Sequence, residues 1–431
     1  MLKVAIIGGG STYTPELIQG FIDRQVIFPL DELCLMDIDP QRLQVVGNFS
    51  KRMAASQGAG FRIVLSEDQN EAIQDASYVI TQLRVGQMEA RRADEYLGKR
   101  YGVVGQETTG VGGMAKALRT IPVILETARL IQTGAPKALL INFANPSGLV
   151  TEALNRYAPQ VNAVGVCNAS LTTKMEILKG LNDRLGTNIK PEDAHLKTLG
   201  LNHLTWFYGF EVHGEDYWPQ IMDATIKEMQ AQEDPYFDPH TLEVLGMLPN
   251  YYLRYYYYTN KILKQQQDWP PSRAEQVMEI EADLLGYYAD ESKSTPPEDL
   301  MKRGGAYYST VATQLINAHY NKLDEIHILN VRHNGAVSGW NPDWVLELPC
   351  LVGEKGIVPL AADPLPLACE SLVHRVKAYE ILTARAAVNG DRTAAYQALL
   401  AHPLGPDADQ INSLLEDMLE INHPYLQNYF K

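Results

Sequence analysis

Two side chains that commonly bind divalent metals border apolar runs in the middle of the sequence. Cys167 directly follows the run 163–166, and His203 directly precedes a second run that begins at Leu204. They are 36 positions apart (203 minus 167), which is not a standard zinc-ligand spacing. The sequence therefore leaves two interpretations of Cys167 open, a metal ligand or a buried inert thiol.

A second set of residues has the composition of a dinucleotide-binding loop. It follows an apolar run and consists of Gly8, Gly9, Gly10, Ser11 and Thr12. Glycines at such a point let backbone amides approach a pyrophosphate at the N-terminus of the next helix. Because Tyr13 stands where the usual fingerprint has its third glycine, a purely structural tight turn is the alternative.

Asp37 strengthens the nucleotide interpretation. It closes the second strand-like run, 33–36, where a carboxylate can accept hydrogen bonds from the adenosine ribose. A carboxylate there also repels a 2′-phosphate, which favours NAD over NADP. The alternative is that Asp37 or Asp39 caps a helix.

Several further polar residues lie near predicted strand ends or in glycine-rich segments, although each residue type is more often a solvated or capping group. They are Arg84, Arg91, Arg92, Glu107, Asn142, Asn145 and Arg273. The segment 251–258 reads YYLRYYYY, and aromatics four positions apart usually pack a core. Arg254 within it could keep a nearby phenol partly ionised.

The elements that must position these residues follow two patterns. In the first third, short apolar runs alternate with helical patterns, which predicts a Rossmann-like, doubly wound parallel sheet in an α/β fold. The predicted strands are 3–7, 33–36, 78–83, 138–143 and 163–166. Beyond Cys167 longer helical segments, such as 172–185 and 273–288, mix with strand-like pieces at 204–212 and 326–331, which predicts an α+β domain. We therefore divide the chain into domains 1–170 and 171–431.

Composition excludes several classes of function. The formal net charge of -15 argues against nucleic-acid and anionic-membrane surfaces. No signal peptide or membrane-spanning run is recognisable, so we expect a cytoplasmic protein. The four cysteines are too few and too scattered for a disulfide framework, so reduced thiols are expected.

Taken together, these segments resemble glycoside hydrolase family four along nearly the whole chain. The strongest matches are Gly105-Gln106-Glu107-Thr108-Thr109-Gly110-Val111-Gly112-Gly113, Asn142-Phe143-Ala144-Asn145-Pro146-Ser147-Gly148, Gly200-Leu201-Asn202-His203-Leu204, Tyr252-Leu253-Arg254-Tyr255-Tyr256 and Lys302-Arg303-Gly304-Gly305. Five matches of this length together are not expected by chance.

The resemblance implies roles for the candidate residues. Cys167 and His203 become ligands of a divalent metal, usually Mn²⁺. Tyr252 becomes the catalytic base, and Glu107 raises its basicity. The positions that match substrate contacts are Arg91, Asn145 and Arg273, with Arg273 the expected partner of a phosphate group.

The residue after the metal-ligating cysteine separates subgroups of the family. An aspartate there is typical of α-glycosidases, where it acts as the general acid, whereas Asn168 is similar to the 6-phospho-β-glucosidases. An amide is a poor proton donor, so we expect β-linked substrates. The chain departs from the β-type pattern immediately afterwards, with Ala169-Ser170-Leu171 where Val-Pro-Ile is usual.

The resemblance also implies a redox route that differs from two-carboxylate hydrolysis. NAD⁺ oxidises C3 of a 6-phospho-β-glucoside, Tyr252 removes the C2 proton, the aglycone is eliminated, water adds and the hydride returns, leaving glucose 6-phosphate. Homodimers or homotetramers are typical of such enzymes.

Several alternatives remain open from the sequence. Within the family they are a 6-phospho-α-glucosidase or a glycosidase of non-phosphorylated sugars. In other classes they are an NAD-dependent hydroxy-acid dehydrogenase or a non-catalytic NAD sensor.

Overall fold

The structure of the protein is a computed structural model that describes residues 1–298, 300, 307–426 and 430 of the 431-residue chain. The motif Lys302-Arg303-Gly304-Gly305, one of those that carry the family resemblance, lies outside the described residues.

The first part of the chain alternates strands with helices. The strands are β1 Lys3–Ile7, β2 Glu32–Met36, β3 Arg62–Ser66, β4 Tyr78–Thr81, β5 Leu139–Asn142 and β6 Asn162–Gly165. The helices are α1 Thr14–Ile22, α2 Pro40–Ser56, α3 Gln69–Ile73, α4 Gln87–Arg100, α5 Gly110–Gly134, α6 Ser147–Tyr157 and α7 Asn168–Leu185. All six strands are parallel, in the spatial order β3-β2-β1-β4-β5-β6, which is the order of a dinucleotide-binding sheet.

Local sequence explains why these elements form where they do. Every residue of β1 and β2 is buried, and both strands are continuous apolar runs after their first residues, Lys3 and Glu32, as expected when helices cover both faces of a parallel sheet. Asp39 caps α2 by accepting a hydrogen bond from the Arg42 amide at 3.0 Å, and Pro40 occupies the first helical position. These elements place the carboxyl ends of the parallel strands at the same edge of the sheet.

The second part mixes strands and longer helices. Its strands are β7 Ala194–Leu201, β8 Leu204–Val212, β9 Glu215–Asp216, β10 Leu248–Pro249, β11 Glu325–Arg332, β12 Val345–Gly353 and β13 Gly356–Pro359. Its α-helices are α8 Trp218–Ala231, α9 Pro239–Leu245, α10 Arg254–Tyr257, α11 Thr259–Gln266, α12 Arg273–Ala289, α13 Tyr308–Asn321, α14 Leu367–Asn389, α15 Arg392–Ala401 and α16 Ile411–Asn422. Short 3₁₀ helices are Pro191–Asp193, Tyr251–Leu253 and His423–Tyr425.

The two parts share one sheet. β11 pairs antiparallel with β6 through Asn330 and Gly165, and the order continues through β12, β7, β8 and β10. The predicted fold class, a Rossmann-like parallel sheet followed by an α+β part, is confirmed. The boundary near residue 170 stays a prediction, since the sheet runs on past it.

The core extends across both parts. One cluster of buried apolar side chains includes residues from β1 to α16, such as Ile6, Phe49, Trp206 and Leu414. Among the described residues, no helix is both long enough and apolar enough to cross a membrane.

Candidate active site

The glycine-rich loop connects β1 to α1 and faces β2. Gly8 has a φ of 93°, and a Cβ there would lie 2.8 Å from the backbone of Leu83. A Cβ on Gly10 would lie 2.8 Å from a carboxylate oxygen of Asp37. Side chains are thus excluded at both positions, and the loop backbone can approach a ligand closely.

Asp37 lies beside this loop, and Asp39, not Asp37, is the residue that caps a helix. One oxygen of Asp37 accepts a hydrogen bond from the Gly10 amide at 2.8 Å, and the other accepts one from the Asp39 amide at 3.0 Å. Each carboxylate oxygen can accept a second hydrogen bond, so the arrangement leaves capacity for ribose hydroxyls. Gly8, Gly10, Ser11 and Asp37 all line one cavity of about 950 Å³.

Cys167 and His203 come together although 36 positions separate them. Cys167 is the N-cap of α7, and His203, with a φ of 64°, ends the two-residue turn between β7 and β8. The Cys167 Sγ lies 3.5 Å from the His203 Nε2. The other ring nitrogen of His203, Nδ1, is 3.0 Å from the Thr108 hydroxyl, so Nε2 is the nitrogen that faces the thiol.

This pair fits the donor set of a divalent metal. Burial lowers the pKa of His203 to about 3, so its imidazole is neutral near pH 7 and offers a lone pair. Burial and the nearby Glu347 carboxylate raise the pKa of Cys167 to about 12, so the thiol must lose its proton on binding a metal. Among the described residues, no cluster of three or more His, Cys, Asp or Glu side chains could hold a metal. Substrate or water oxygens would therefore complete the coordination, as catalytic metal sites require.

Tyr252 lines the cavity and contacts the His203 member of this pair. Its ring stacks on that of His203, with centroids 3.8 Å apart and planes inclined by 7°. Burial is the largest effect that raises the pKa of the Tyr252 phenol, and the neighbouring Cys167 is the second. Arg91 lowers this pKa. Without further positive charge the phenol is therefore neutral, and a metal bound beside it would favour the phenolate.

The buried carboxylate of Glu107 contacts three cations, of which Lys116 is buried and Arg84 and Arg91 are half-buried. It contacts Arg84, the Arg91 Nη1 at 3.0 Å and the Lys116 Nζ at 2.6 Å. Burial raises the pKa of Glu107, but these three cations outweigh it and hold the pKa well below its ordinary value. Burial and Arg84 lower the pKa of Lys116 to about 7. Glu107 is thus ionised and also orients Arg91, which forms a second ion pair with Glu95 at 2.9 Å.

The predicted substrate-binding residues line the same cavity as the glycine loop. Arg91, Asn145, Asn168, Tyr252 and Arg273 all contribute to its wall. Arg273 is the first residue of α12 and is exposed, and Glu275 and Ser272 form a capping box that fixes this helix end. The wall of this cavity therefore contains the glycine loop, the candidate base Tyr252 and the cation of Arg273, which an anionic group can reach from solvent.

Other residues named from the sequence lie elsewhere or act differently. Thr12 is completely buried beneath the loop and does not line the cavity. Asn142 is buried and accepts a hydrogen bond from Thr81 at 2.9 Å, so its contacts are internal. Arg92 is exposed and outside the cavity wall. The Arg254 guanidinium lies 4.0 Å above the ring of Tyr251, so that phenol, not Tyr252, is its immediate partner.

Two buried charged residues at the site were missed by the sequence analysis. Lys116 is the only charged residue in the first nine positions of α5, 110–118, and Glu347 interrupts the apolar strand β12. A single charge inside an apolar element was the available signal, since such a charge is rarely buried unless it is paired.

The fold and this cavity define an enzyme of the dinucleotide-binding α/β class with a thiol and imidazole pair suited to a metal. The chain belongs to family 4 of the glycosyl hydrolases. The model of that family, "Family 4 glycosyl hydrolase", matches residues 3–183, and the model of its C-terminal domain matches residues 198–405.

Named relatives match this chain over nearly its whole length. A protein of Bacillus subtilis strain 168 named "Probable 6-phospho-beta-glucosidase" is 38% identical over 442 residues, covering 100% of this chain and 98% of its own. The structure of a 6-phospho-beta-glucosidase from Thermotoga maritima, with manganese, NAD⁺ and glucose 6-phosphate, has a TM-score of 0.92 at 35% identity and covers 99% of this chain and 100% of its own. A 6-phospho-alpha-glucosidase from gut microorganisms, with NAD and glucose 6-phosphate, has a TM-score of 0.88 at 26% identity and covers 99% of both chains.

Proposed function

We propose that this protein hydrolyses 6-phospho-β-glucosides to glucose 6-phosphate and an aglycone, using NAD and a divalent metal such as Mn²⁺. The observation that carries the proposal is that Tyr252 lines the cavity that also contains the glycine loop and stacks on His203, whose imidazole lies 3.5 Å from the Cys167 thiol. Cys167 and His203 themselves lie behind this wall. A base, two metal-binding donors and a dinucleotide loop in one place match the redox route implied by the family resemblance.

Asp37 and the glycine loop support NAD as the dinucleotide. The loop presents backbone amides at the start of α1, and the Asp37 carboxylate would repel a 2′-phosphate. When bound, NAD would supply a reversible hydride acceptor and the divalent metal a Lewis acid for the sugar oxygens. The roles of Gly8, Gly10 and Ser11 in holding the dinucleotide are part of the proposal, whereas the buried Thr12 can act only by supporting the loop from within.

The Tyr252 phenolate is proposed to take the proton from C2 of the sugar and become the neutral phenol. The stack on His203 fixes the plane of the Tyr252 ring, and Tyr252 lines the cavity. Glu107 acts on this step indirectly, because its negative charge raises the proton affinity of the phenol and its ion pair orients Arg91. Tyr252 is thus the catalytic base and Glu107 tunes it.

Substrate binding is assigned to the remaining cavity residues. Arg273 is the proposed partner of the 6-phosphate, because it lies exposed at the cavity wall on the N-terminal turn of α12, where the helix dipole also favours an anion. Arg91 and Asn145 offer donors to sugar hydroxyls. Asn168 lies at the first position of α7 and can hydrogen-bond the sugar but cannot act as a general acid, which supports β-linked substrates.

The proposal also includes two points that rest on sequence and family resemblance. We infer a cytoplasmic location, and we infer that the protein is a homodimer or homotetramer.

The proposal is tested with reduced protein stripped of metal and dinucleotide. The substrates are the 6-phosphates of p-nitrophenyl β-glucoside and α-glucoside, with NAD⁺ and Mn²⁺ added singly and together. We expect cleavage of the β-anomer only when both additions are present, with NAD⁺ needed in catalytic and not stoichiometric amount.

Other outcomes would redirect the assignment. Cleavage of the α-anomer alone would transfer the protein to the α-type of the family. Net accumulation of NADH with a 2-hydroxy acid would favour a dehydrogenase. Turnover that does not depend on NAD⁺ would refute the redox route.

A further inference from the structure

Glu347 lies between the two strands that carry the proposed metal ligands. In the sheet it is opposite Gly200 of β7 on one side and Asn330 of β11 on the other, and Asn330 is opposite Gly165 of β6. Neighbouring strands are roughly 4.8 Å apart, so β6 and β7 are on the order of 14 Å apart at this row. The strand spacing alone therefore does not bring Cys167 and His203 together.

The Glu347 side chain binds both ligand-bearing segments directly. One carboxylate oxygen accepts a hydrogen bond from the Ser170 hydroxyl at 2.7 Å, and Ser170 is three residues after Cys167. The other oxygen accepts one from the Asn202 amide at 2.9 Å, and Asn202 is the residue before His203. Asn330 donates a third hydrogen bond at 3.3 Å.

Burial makes these contacts strong constraints on geometry. Glu347, Ser170 and Asn330 are each 1% exposed, so water does not compete for the carboxylate. A buried carboxylate that loses a hydrogen-bond donor keeps its desolvation penalty but loses the interaction that offsets it. The four side chains are therefore expected to hold one arrangement.

We propose that Glu347 is a positioning residue for the metal site, which holds the Cys167 and His203 segments at the separation that a divalent metal requires. The inference rests on the proposed metal site. Glu347 contacts neither metal nor substrate in this role. It acts through Ser170 and Asn202, as the hydrogen-bonding partners behind metal ligands commonly do.

The test is a titration of the full-length, metal-free protein with Co²⁺. The ultraviolet charge-transfer band of a cobalt-bound thiolate reports Cys167 directly. In Glu347→Gln the amide keeps the size of the side chain but offers one acceptor oxygen in place of two. We expect the Co²⁺ affinity to fall about 10- to 100-fold, with NAD binding unchanged.

Glu16→Gln is the matched control, because Glu16 also accepts hydrogen bonds from a serine, through the Ser309 hydroxyl at 3.0 Å and amide at 3.3 Å, and belongs to α1. It should bind Co²⁺ like the wild type. Equal affinity in Glu347→Gln and wild type would overturn the positioning role. An equal loss in both variants would also overturn it, because the effect would then be general destabilisation.

Two further variants distinguish failure of the positioning role from failure of the proposed metal site. Cys167→Ser should abolish the charge-transfer band, and a wild-type protein without such a band would refute the proposed metal site itself. Should Glu347→Gln fail to fold, Ser170→Ala removes only one hydroxyl and should weaken Co²⁺ binding by about threefold to tenfold. An unchanged affinity in Ser170→Ala would then count against the inference.

Discussion

Replacing Tyr252 with phenylalanine separates the chemical role of this residue from its packing role. The ring stacks on His203 at 3.8 Å, and phenylalanine preserves that stack while removing only the hydroxyl. The Cys167 and His203 donors are left in place, and the glycine loop is not touched. We therefore expect NAD and metal binding to be unchanged in Tyr252→Phe.

The expected loss is that of a general base. Such a group contributes about 10²- to 10⁴-fold, which corresponds to about 2.7–5.4 kcal/mol of transition-state stabilisation. Because burial raises the pKa of Tyr252 above its ordinary value, the ionised fraction at neutral pH is small and grows with pH. At Mn²⁺ concentrations that saturate the site at every pH, wild-type kcat/KM should therefore rise up to tenfold per pH unit on the acidic side, and this slope should vanish in Tyr252→Phe.

The assay measures turnover of the 6-phosphate of p-nitrophenyl β-glucoside in D₂O, with NMR detection of deuterium at C2 of the product. Wild-type product should carry deuterium there. Tyr257→Phe is the matched control, because it removes a hydroxyl from the same tyrosine run, bonded to the Trp206 indole at 3.1 Å, outside the cavity wall. Retention of wild-type turnover and exchange in Tyr252→Phe would refute its role as the base.

Three further predictions concern charge at the site. Arg273→Ala should raise KM for the phosphorylated substrate far more than for its dephospho analogue, and equal effects would remove its phosphate role. Glu107→Gln leaves three neighbouring cations without their shared carboxylate, so urea unfolding should show a loss of about 3–5 kcal/mol, and a loss under about 1 kcal/mol would contradict the buried network. Because the pKa of Cys167 lies at about 12, calorimetric Mn²⁺ affinity should increase about tenfold per unit between about pH 6 and pH 8, and a flat profile would exclude thiolate ligation.

Local sequence predicted seven strands of the sheet closely, five in the first part of the chain and two in the second. β1 and β8 have the predicted bounds, and β2, β4, β5, β6 and β11 differ from them by one or two residues. These strands are short apolar runs between glycine or helical signals, so their own residues decide their structure. The glycine loop and Asp37 were predicted together for the same reason, because strand, loop and helix are consecutive.

One helix of the second part was also predicted from the sequence. The segment 273–288 was expected to be helical, and α12 spans Arg273–Ala289. The predicted division near residue 170 is not visible in the sheet, which continues from β6 into β11. Hydrophobic patterning does not report which strands pair, because pairing joins residues far apart in the chain.

The sequence by itself determined the class of the protein, because glycine positions, apolar runs and long motifs are properties of consecutive residues. Only the tertiary structure decided the environment of the reactive groups. It placed the Cys167 thiol 3.5 Å from an imidazole 36 positions away and gathered three cations around the buried Glu107. It also set Glu347 between the segments that contain Cys167 and His203. Burial and distance fix pKa values and metal geometry, and both arise only when remote segments pack together.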